Sequence, residues 1–122
     1  MRGKQERDAT NNHATTWLMQ AAEFARLTNN PKVTDDCRIR LRAIIIPNQI
    51  APDGSFPEEL ARTKPFSYSL FNLDALAACC LILSTPSDNF WALETSDHRG
   101  IHGAIDFMVP FIRNKATWPY KV

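Results

Sequence analysis

The chain has 122 residues, of which 44% are hydrophobic and 22% charged, which is the composition of one modest folded domain. Its formal net charge of +1 excludes a broad positive field of the kind that attracts nucleic acids or anionic membranes. The apolar run from residue 75 to residue 83 is far shorter than the ~20 residues of a membrane span, so no span is predicted. The odd number of cysteines, 3, favours core packing over a disulfide framework.

Residues 1–9 are charged and polar, and they lack the apolar core of a signal peptide. The sequence predicts that this segment is disordered or is a truncated element. A helical domain is predicted from residue 10 to residue 122.

The first predicted hairpin consists of two helices. Between Ala14 and Thr28, apolar residues recur at helical spacing, and the segment 29–31 (Asn-Asn-Pro) should end that helix. A second helix is predicted to begin at Thr34 and to close at Pro47. The short connection between them predicts antiparallel neighbours.

A second pair of helices is predicted after a loop. Residues 48–65 are rich in proline and turn residues and contain one short helical turn at 58–62. The helix predicted at 66–83 is apolar all round in its second half, so it should be buried on most sides. After a turn and a short helical piece at 88–93, a last helix follows around Ile101 to Ile112, with a kink at Pro110. No strand alternation is present in the pattern, so the predicted fold is all-α.

Two polar clusters stand at predicted helix starts. Asn11, Asn12 and His13 precede the first helix, and one asparagine would be enough for an N-cap. Arg62 and Tyr68 flank the start of the 66–83 helix. Helix starts carry unpaired N–H groups and a positive dipole end, which suit a bound anion.

The second cluster has an ordinary alternative explanation. Arg62 could belong to a solvated basic loop, and Tyr68 could be a half-buried packing residue. However, Tyr68 and Asn72 are four residues apart and share one helix face, and the residues around Tyr68 are unusually polar for a helix that is otherwise so apolar. This pattern favours a helix start that lines a cavity.

Four segments, taken in order, carry a family resemblance. They are residues 11–13 (Asn-Asn-His), 53–55 (Asp-Gly-Ser), 59–63 (Glu-Leu-Ala-Arg-Thr) and 68–73 (Tyr-Ser-Leu-Phe-Asn-Leu). Their order and spacing resemble the alginate lyase family of helical-toroid polysaccharide lyases. The resemblance implies helical hairpins that form part of an incomplete (α/α) toroid. It also implies an acidic polysaccharide substrate and β-elimination at a uronic acid residue.

The resemblance also implies roles for the two clusters. Amides would neutralise the uronate carboxylate and so acidify the neighbouring C5 proton. The residues with these amides are Asn11, Asn12 and Asn72. His13 would neutralise the carboxylate or act as base, and Tyr68 would transfer the proton. Arg62 would hold the carboxylate or lower the pKa of Tyr68 through its charge. This chemistry needs no metal and no cofactor.

The chain also departs from the family pattern. Ser69 follows Tyr68 where that pattern has histidine, and Arg62 stands closer to Tyr68. The substrate therefore stays open among alginate, glucuronan-like and mixed uronate polymers. Family members are much longer, so the chain is expected to be a fragment or truncated copy. The resemblance also implies a periplasmic or secreted location for the full-length family. The alternatives are an inactive remnant and a helical carbohydrate-binding or protein-binding module.

Overall fold

The structure, a computed structural model, describes residues 2–121 and is built from helices. They are α1 (Arg2–Arg7), α2 (Asn12–Leu27), α3 (Pro31–Arg40), a π-helical turn (Leu41–Ile45), α4 (Ile46–Gln49), α5 (Pro57–Leu60), α6 (Pro65–Leu83), α7 (Ile101–Arg113) and a 3-10 turn (Lys115–Thr117). Within residues 2–121 the only β-type pairing is an isolated bridge between Thr85 and Asp88. The predicted all-α fold class is therefore confirmed.

Side-chain caps set the limits of the first hairpin. The Asn11 side chain accepts a hydrogen bond from the His13 N–H (3.1 Å) and starts α2. After the turn, Asn30 accepts from the Val33 N–H (3.3 Å), and Pro31 occupies the first turn of α3. The second helix of this hairpin thus begins three residues before the predicted Thr34.

The sequence predicts that this second helix closes at Pro47, but in the structure the helix continues past that proline. The wider π-helical turn Leu41–Ile45 comes before the proline, and the Ile46 N–H donates to the Leu41 carbonyl there. Pro47 then lies in the first turn of α4, where its missing N–H leaves no α-helical bond broken. The prediction was wrong because a proline ends a helix only when the preceding turn cannot adjust.

The second hairpin is formed by α6 and α7. The predicted helix at 66–83 is confirmed within one residue, and α7 continues through Pro110 to Arg113. Residues 88–93 are not helical, contrary to the expectation. They form turns in which Ser84 Oγ accepts from the Phe90 N–H (3.1 Å), and the Phe90 side chain is buried in the core. That anchoring favours turns over a helical piece.

Contacts along their lengths show that α2 and α6 run in the same direction. Asn12 at the start of α2 shares a partner with Asn72, and further along the Thr15 carbonyl accepts from the Cys79 thiol at 3.7 Å. The main core fills the space around these helices. The second half of α6, which the sequence predicts to be buried on most sides, places Leu76, Cys80 and Leu83 in this core.

Two further expectations concern the N-terminal segment and the absence of a membrane span. Residues 2–7 of the segment expected to be disordered or truncated form the helix α1, so the described part of it is ordered. By length and composition alone, α6 is also apolar enough to cross a membrane. Its buried residues pack in the core formed by both hairpins, which favours a core helix over a membrane span.

Candidate active site

A buried carboxylate joins the two predicted clusters. Glu59, in the short helix α5, is 0% exposed. It accepts hydrogen bonds from the Asn12 backbone N–H (2.7 Å), the Asn12 Nδ2 (2.8 Å) and the Asn72 Nδ2 (3.2 Å). Since a buried carboxylate is tolerated only with hydrogen-bonded partners, these donors account for its position. Glu59 thereby connects the start of α2 with α6.

A second buried side chain continues the network. Gln49 accepts from the Thr15 Oγ1 (3.0 Å) and the Asn72 Nδ2 (2.7 Å) through its Oε1. Its Nε2 donates to the Asn11 carbonyl at 3.0 Å. Because Gln49 is the last residue of α4, the helix continuation past Pro47 is what places it here.

Arg62 lies between the network and the predicted proton donor. Its Nη1 is 3.6 Å from the Glu59 Oε1, and its guanidinium carbon is 3.7 Å from the centre of the Tyr68 ring. Such a stacked guanidinium is attracted by the ring face and is held there as a planar group. The Arg62 side chain is 29% exposed, so part of it remains open to a ligand.

His13 and Asn11 flank Asn12 at the start of α2. The His13 side chain is exposed, and within residues 2–121 its imidazole forms no hydrogen bond or ion pair to another described side chain. Asn11 is half-buried and uses its side-chain oxygen as the N-cap of α2. The imidazole is therefore free of partners that would hold it away from a bound molecule.

The structure brings Asn12, Asn72, Arg62 and Tyr68 into one connected set. Asn12 and Asn72 are buried, and their amides donate to protein acceptors rather than only facing outward. Asn72 uses its Nδ2 for two acceptors, Gln49 and Glu59, so its substrate-binding role stays a prediction. Asn12 keeps one amide N–H beyond the one given to Glu59.

Sequence reasoning missed the two side chains that hold this set together, Glu59 and Gln49. The signal for Glu59 was present, since it is spaced i, i+3 from Arg62 within the Glu-Leu-Ala-Arg-Thr segment. Gln49 follows a proline that suggested a helix end, so nothing in the local pattern placed it at the site.

Some polar atoms near Tyr68 are buried without a hydrogen-bond partner among the described residues. They are Arg62 Nη1, Ser69 Oγ and Asn72 Oδ1. Unsatisfied buried polar atoms are costly in a structural core and are common where a ligand or water completes the bonding. Ser69 and Asn72 lie in the first half of α6 and Arg62 lies in the turn before it, so these three atoms are grouped around this part of the helix.

Comparison with known proteins gives the family of the chain. The family model described as alginate lyase matches residues 1–118. The chain belongs to the alginate lyase family. No curated protein matches the chain.

A solved structure gives the same family relationship. The crystal structure of an alginate lyase from Bacteroides ovatus at 1.60 Å resolution matches with a TM-score of 0.89 and 32% sequence identity. The match covers 97% of this chain and 31% of that chain. This member of the alginate lyase family thus spans about a third of the length of the Bacteroides protein that it matches.

Proposed function

We propose that the chain carries the catalytic cluster of a polysaccharide lyase, which cleaves a uronic-acid-containing polymer by β-elimination. The observation that carries the proposal is the stack of Arg62 on Tyr68 at 3.7 Å, joined through Glu59 to the helix start that bears His13. These contacts support the proposal because they link a cation and a phenol to the helix start that carries an imidazole, and membership of the alginate lyase family supports the same reaction.

The first step is binding of the uronate carboxylate. The exposed part of Arg62, the remaining N–H of Asn12 and the amide of Asn11 donate to it. Neutralising that carboxylate stabilises the negative charge that develops when the neighbouring C5 proton leaves. The positive end of the α2 dipole adds to the same effect.

The second step is the elimination. His13 takes the C5 proton, the electron pair forms the C4–C5 double bond, and the C4–O4 bond breaks. Tyr68 donates its phenolic proton to the departing O4, and both residues then exchange protons with water. One product has an unsaturated uronate at its new end, and the other regains a free hydroxyl group.

In this proposal both the substrate class and the candidate polymers come from the family. Alginate is the first candidate because the Bacteroides protein is an alginate lyase. Glucuronan-like polymers come next, since Ser69 stands where the family pattern has histidine. A periplasmic or secreted location, as the family implies, belongs to this proposal.

The test uses the absorbance of the unsaturated uronate product. The purified chain is incubated with alginate and with glucuronan, and Tyr68→Phe is compared with Tyr120→Phe, the only other tyrosine position. We expect Tyr68→Phe to lower turnover by about 10²–10⁴-fold with polymer binding nearly unchanged, because only the proton-transferring hydroxyl is lost. Tyr120→Phe should keep the wild-type rate.

Three outcomes would count against the proposal. Full activity in Tyr68→Phe would make Tyr68 a packing residue. Polymer binding without any product would favour an inactive binding module. Absence of both binding and product would favour an inactive remnant of the family.

A further inference from the structure

We propose that Glu59 is a positioning residue, which sets the placement of Tyr68 and of the His13 helix start relative to one another. The inference rests on the lyase function proposed above. Glu59 itself contacts neither surface nor ligand, since it is fully buried, and it would act through Arg62 and Asn12.

Stability alone does not explain a carboxylate at this position. Burying a charge costs several kcal/mol even when it is paired, and a well-packed apolar side chain of similar volume is often as stable or more so. The neighbouring core could supply such packing, since Phe56 in the same segment is buried among apolar residues. A charged side chain here is therefore explained better by what it holds in place.

The two oxygens of Glu59 together contact both halves of the site. Oε2 accepts from the Asn12 backbone N–H at 2.7 Å, which fixes the first turn of α2 next to His13. Oε1 is 3.6 Å from the Arg62 guanidinium and 2.8 Å from the Asn12 Nδ2. One rigid planar group thus determines the distance between the base and acid candidates.

Arg62 transmits this placement to Tyr68. Its guanidinium has two faces and several N–H groups, and the structure uses one side for Glu59 and the ring face of Tyr68 for stacking. Without the carboxylate, the guanidinium loses the anchor that keeps it over the ring. A reacting group displaced by about 1 Å can lose roughly 10²-fold in rate.

The experiment compares Glu59→Gln with Glu58→Gln, a matched control at the exposed neighbouring residue. Both variants remove one negative charge from α5 with little change of volume. All proteins, including wild type, carry 3-fluorotyrosine, so that fluorine NMR reports on Tyr68 and Tyr120 separately. Turnover is followed in the same samples by the unsaturated uronate absorbance.

In Glu59→Gln we expect the Tyr68 resonance to shift while the Tyr120 resonance keeps its wild-type position. The turnover number should fall by about 10–10²-fold with little change in KM, because substrate binding to Arg62 and the amides is weakened less than the alignment of the acid. Glu58→Gln should match wild type in both readouts. If Glu59 had only a structural role, either both tyrosine resonances would shift or neither would. Turnover would then fall only in proportion to the folded fraction of the protein.

Glu59→Asp keeps the carboxylate but shortens the side chain by one methylene group. This variant tests the positioning role if Glu59→Gln does not fold. A Tyr68 shift in the folded Asp variant supports the proposal, and an unshifted Tyr68 resonance in either folded variant overturns it. The NMR result is independent of catalysis. If wild type releases no unsaturated product, the proposed function fails, while the resonances still show whether Glu59 positions Tyr68.

Discussion

At the scale of single residues, the adjacent thiols of Cys79 and Cys80 show how deeply α6 is buried. Consecutive residues of a helix point about 100° apart, so burial of both means that two sides of α6 are covered. Desolvation raises the pKa of Cys80 to about 12 and moves the pKa of Cys79 upward even further. Both side chains therefore behave as small apolar core groups rather than as nucleophiles.

This burial predicts a loss of stability at alkaline pH. Above the ordinary thiol pKa of 9.0, the unfolded chain releases the Cys80 proton while the folded chain keeps it, so unfolding becomes more favourable. Each such thiol should lower the free energy of unfolding by about 1.4 kcal/mol per pH unit in that range. Urea denaturation at about pH 8 and about pH 10 measures the change. Between these two pH values, Cys80→Ala should lose less free energy of unfolding than wild type. An equal loss in both proteins would contradict a raised pKa of Cys80 in the folded state.

Residue identity alone predicts part of the site. The presence of Asn12, His13, Arg62 and Tyr68 and their attachment to helix starts could be inferred from spacing. The inward turn of the Asn12 amide could not, because it depends on Glu59, which lies 47 positions away in the chain. Side-chain direction at a helix start is set by such tertiary partners and not by local sequence.

At the scale of elements, the loop before α5 approaches α7 so closely that only glycine fits. Gly54 has a φ of +92°, and a Cβ added there would lie 2.2 Å from the Gly103 carbonyl oxygen and 2.9 Å from the Phe107 Cβ. The Asp53 side chain closes the same turn by accepting from the Ser55 N–H at 2.9 Å. The loop that leads to Glu59 is thus held directly on the last helix.

Gly54→Ala should therefore destabilise the chain by at least ~2 kcal/mol, since it combines backbone strain with overpacking against backbone atoms. Gly103→Ala is the matched control on the opposite side of the contact. A Cβ at Gly103 meets nothing closer than 3.8 Å, and alanine is favoured over glycine within a helix by about 0.5–1 kcal/mol. In thermal denaturation, the midpoint temperature of Gly54→Ala should lie below that of wild type and the midpoint of Gly103→Ala above it. Equal stability of both would mean that the loop can move away from α7.

The order of helices could be predicted from apolar periodicity, whereas their ends depended on local chemistry. Asn30 and Pro31 give a clear helix start only when the asparagine is recognised as a cap. The π-helical turn before Pro47 leaves no signal in the sequence, because it is a response to packing of Leu41 and Ile45 in the core. The fold class could therefore be predicted from periodicity, whereas the position of Gln49 could not, because it depends on the π-helical turn.

At the scale of the whole molecule, an apolar groove remains open between α2 and α6. It is lined by apolar side chains that include Met19, Phe24, Leu27, Ala78 and Ile82. Phe24 is 68% exposed and Leu27 is 72% exposed. Contiguous apolar surface of this kind on a folded chain favours association with other apolar groups.

The groove predicts that the chain binds an apolar dye such as ANS in its folded state. Phe24→Gln should reduce the dye fluorescence without lowering the free energy of unfolding, because the removed ring is mostly exposed already. Ile112→Gln serves as the control, since Ile112 is 54% exposed but belongs to α7. Fluorescence that falls equally in both variants would assign dye binding to general surface hydrophobicity instead of the groove.

The Glu59 network also constrains the order of folding. Neither hairpin can satisfy all of its own polar groups, because the donors of Asn12 bind the carboxylate of Glu59, which is synthesised 47 residues later. On the ribosome, the first hairpin therefore emerges with its site half unpaired, and Asn72 on α6 must arrive before the network closes. Docking of the two hairpins and assembly of the site are then one kinetic event. Substitutions that slow the docking step should delay the appearance of the finished site by the same factor, whereas substitutions within one hairpin should not.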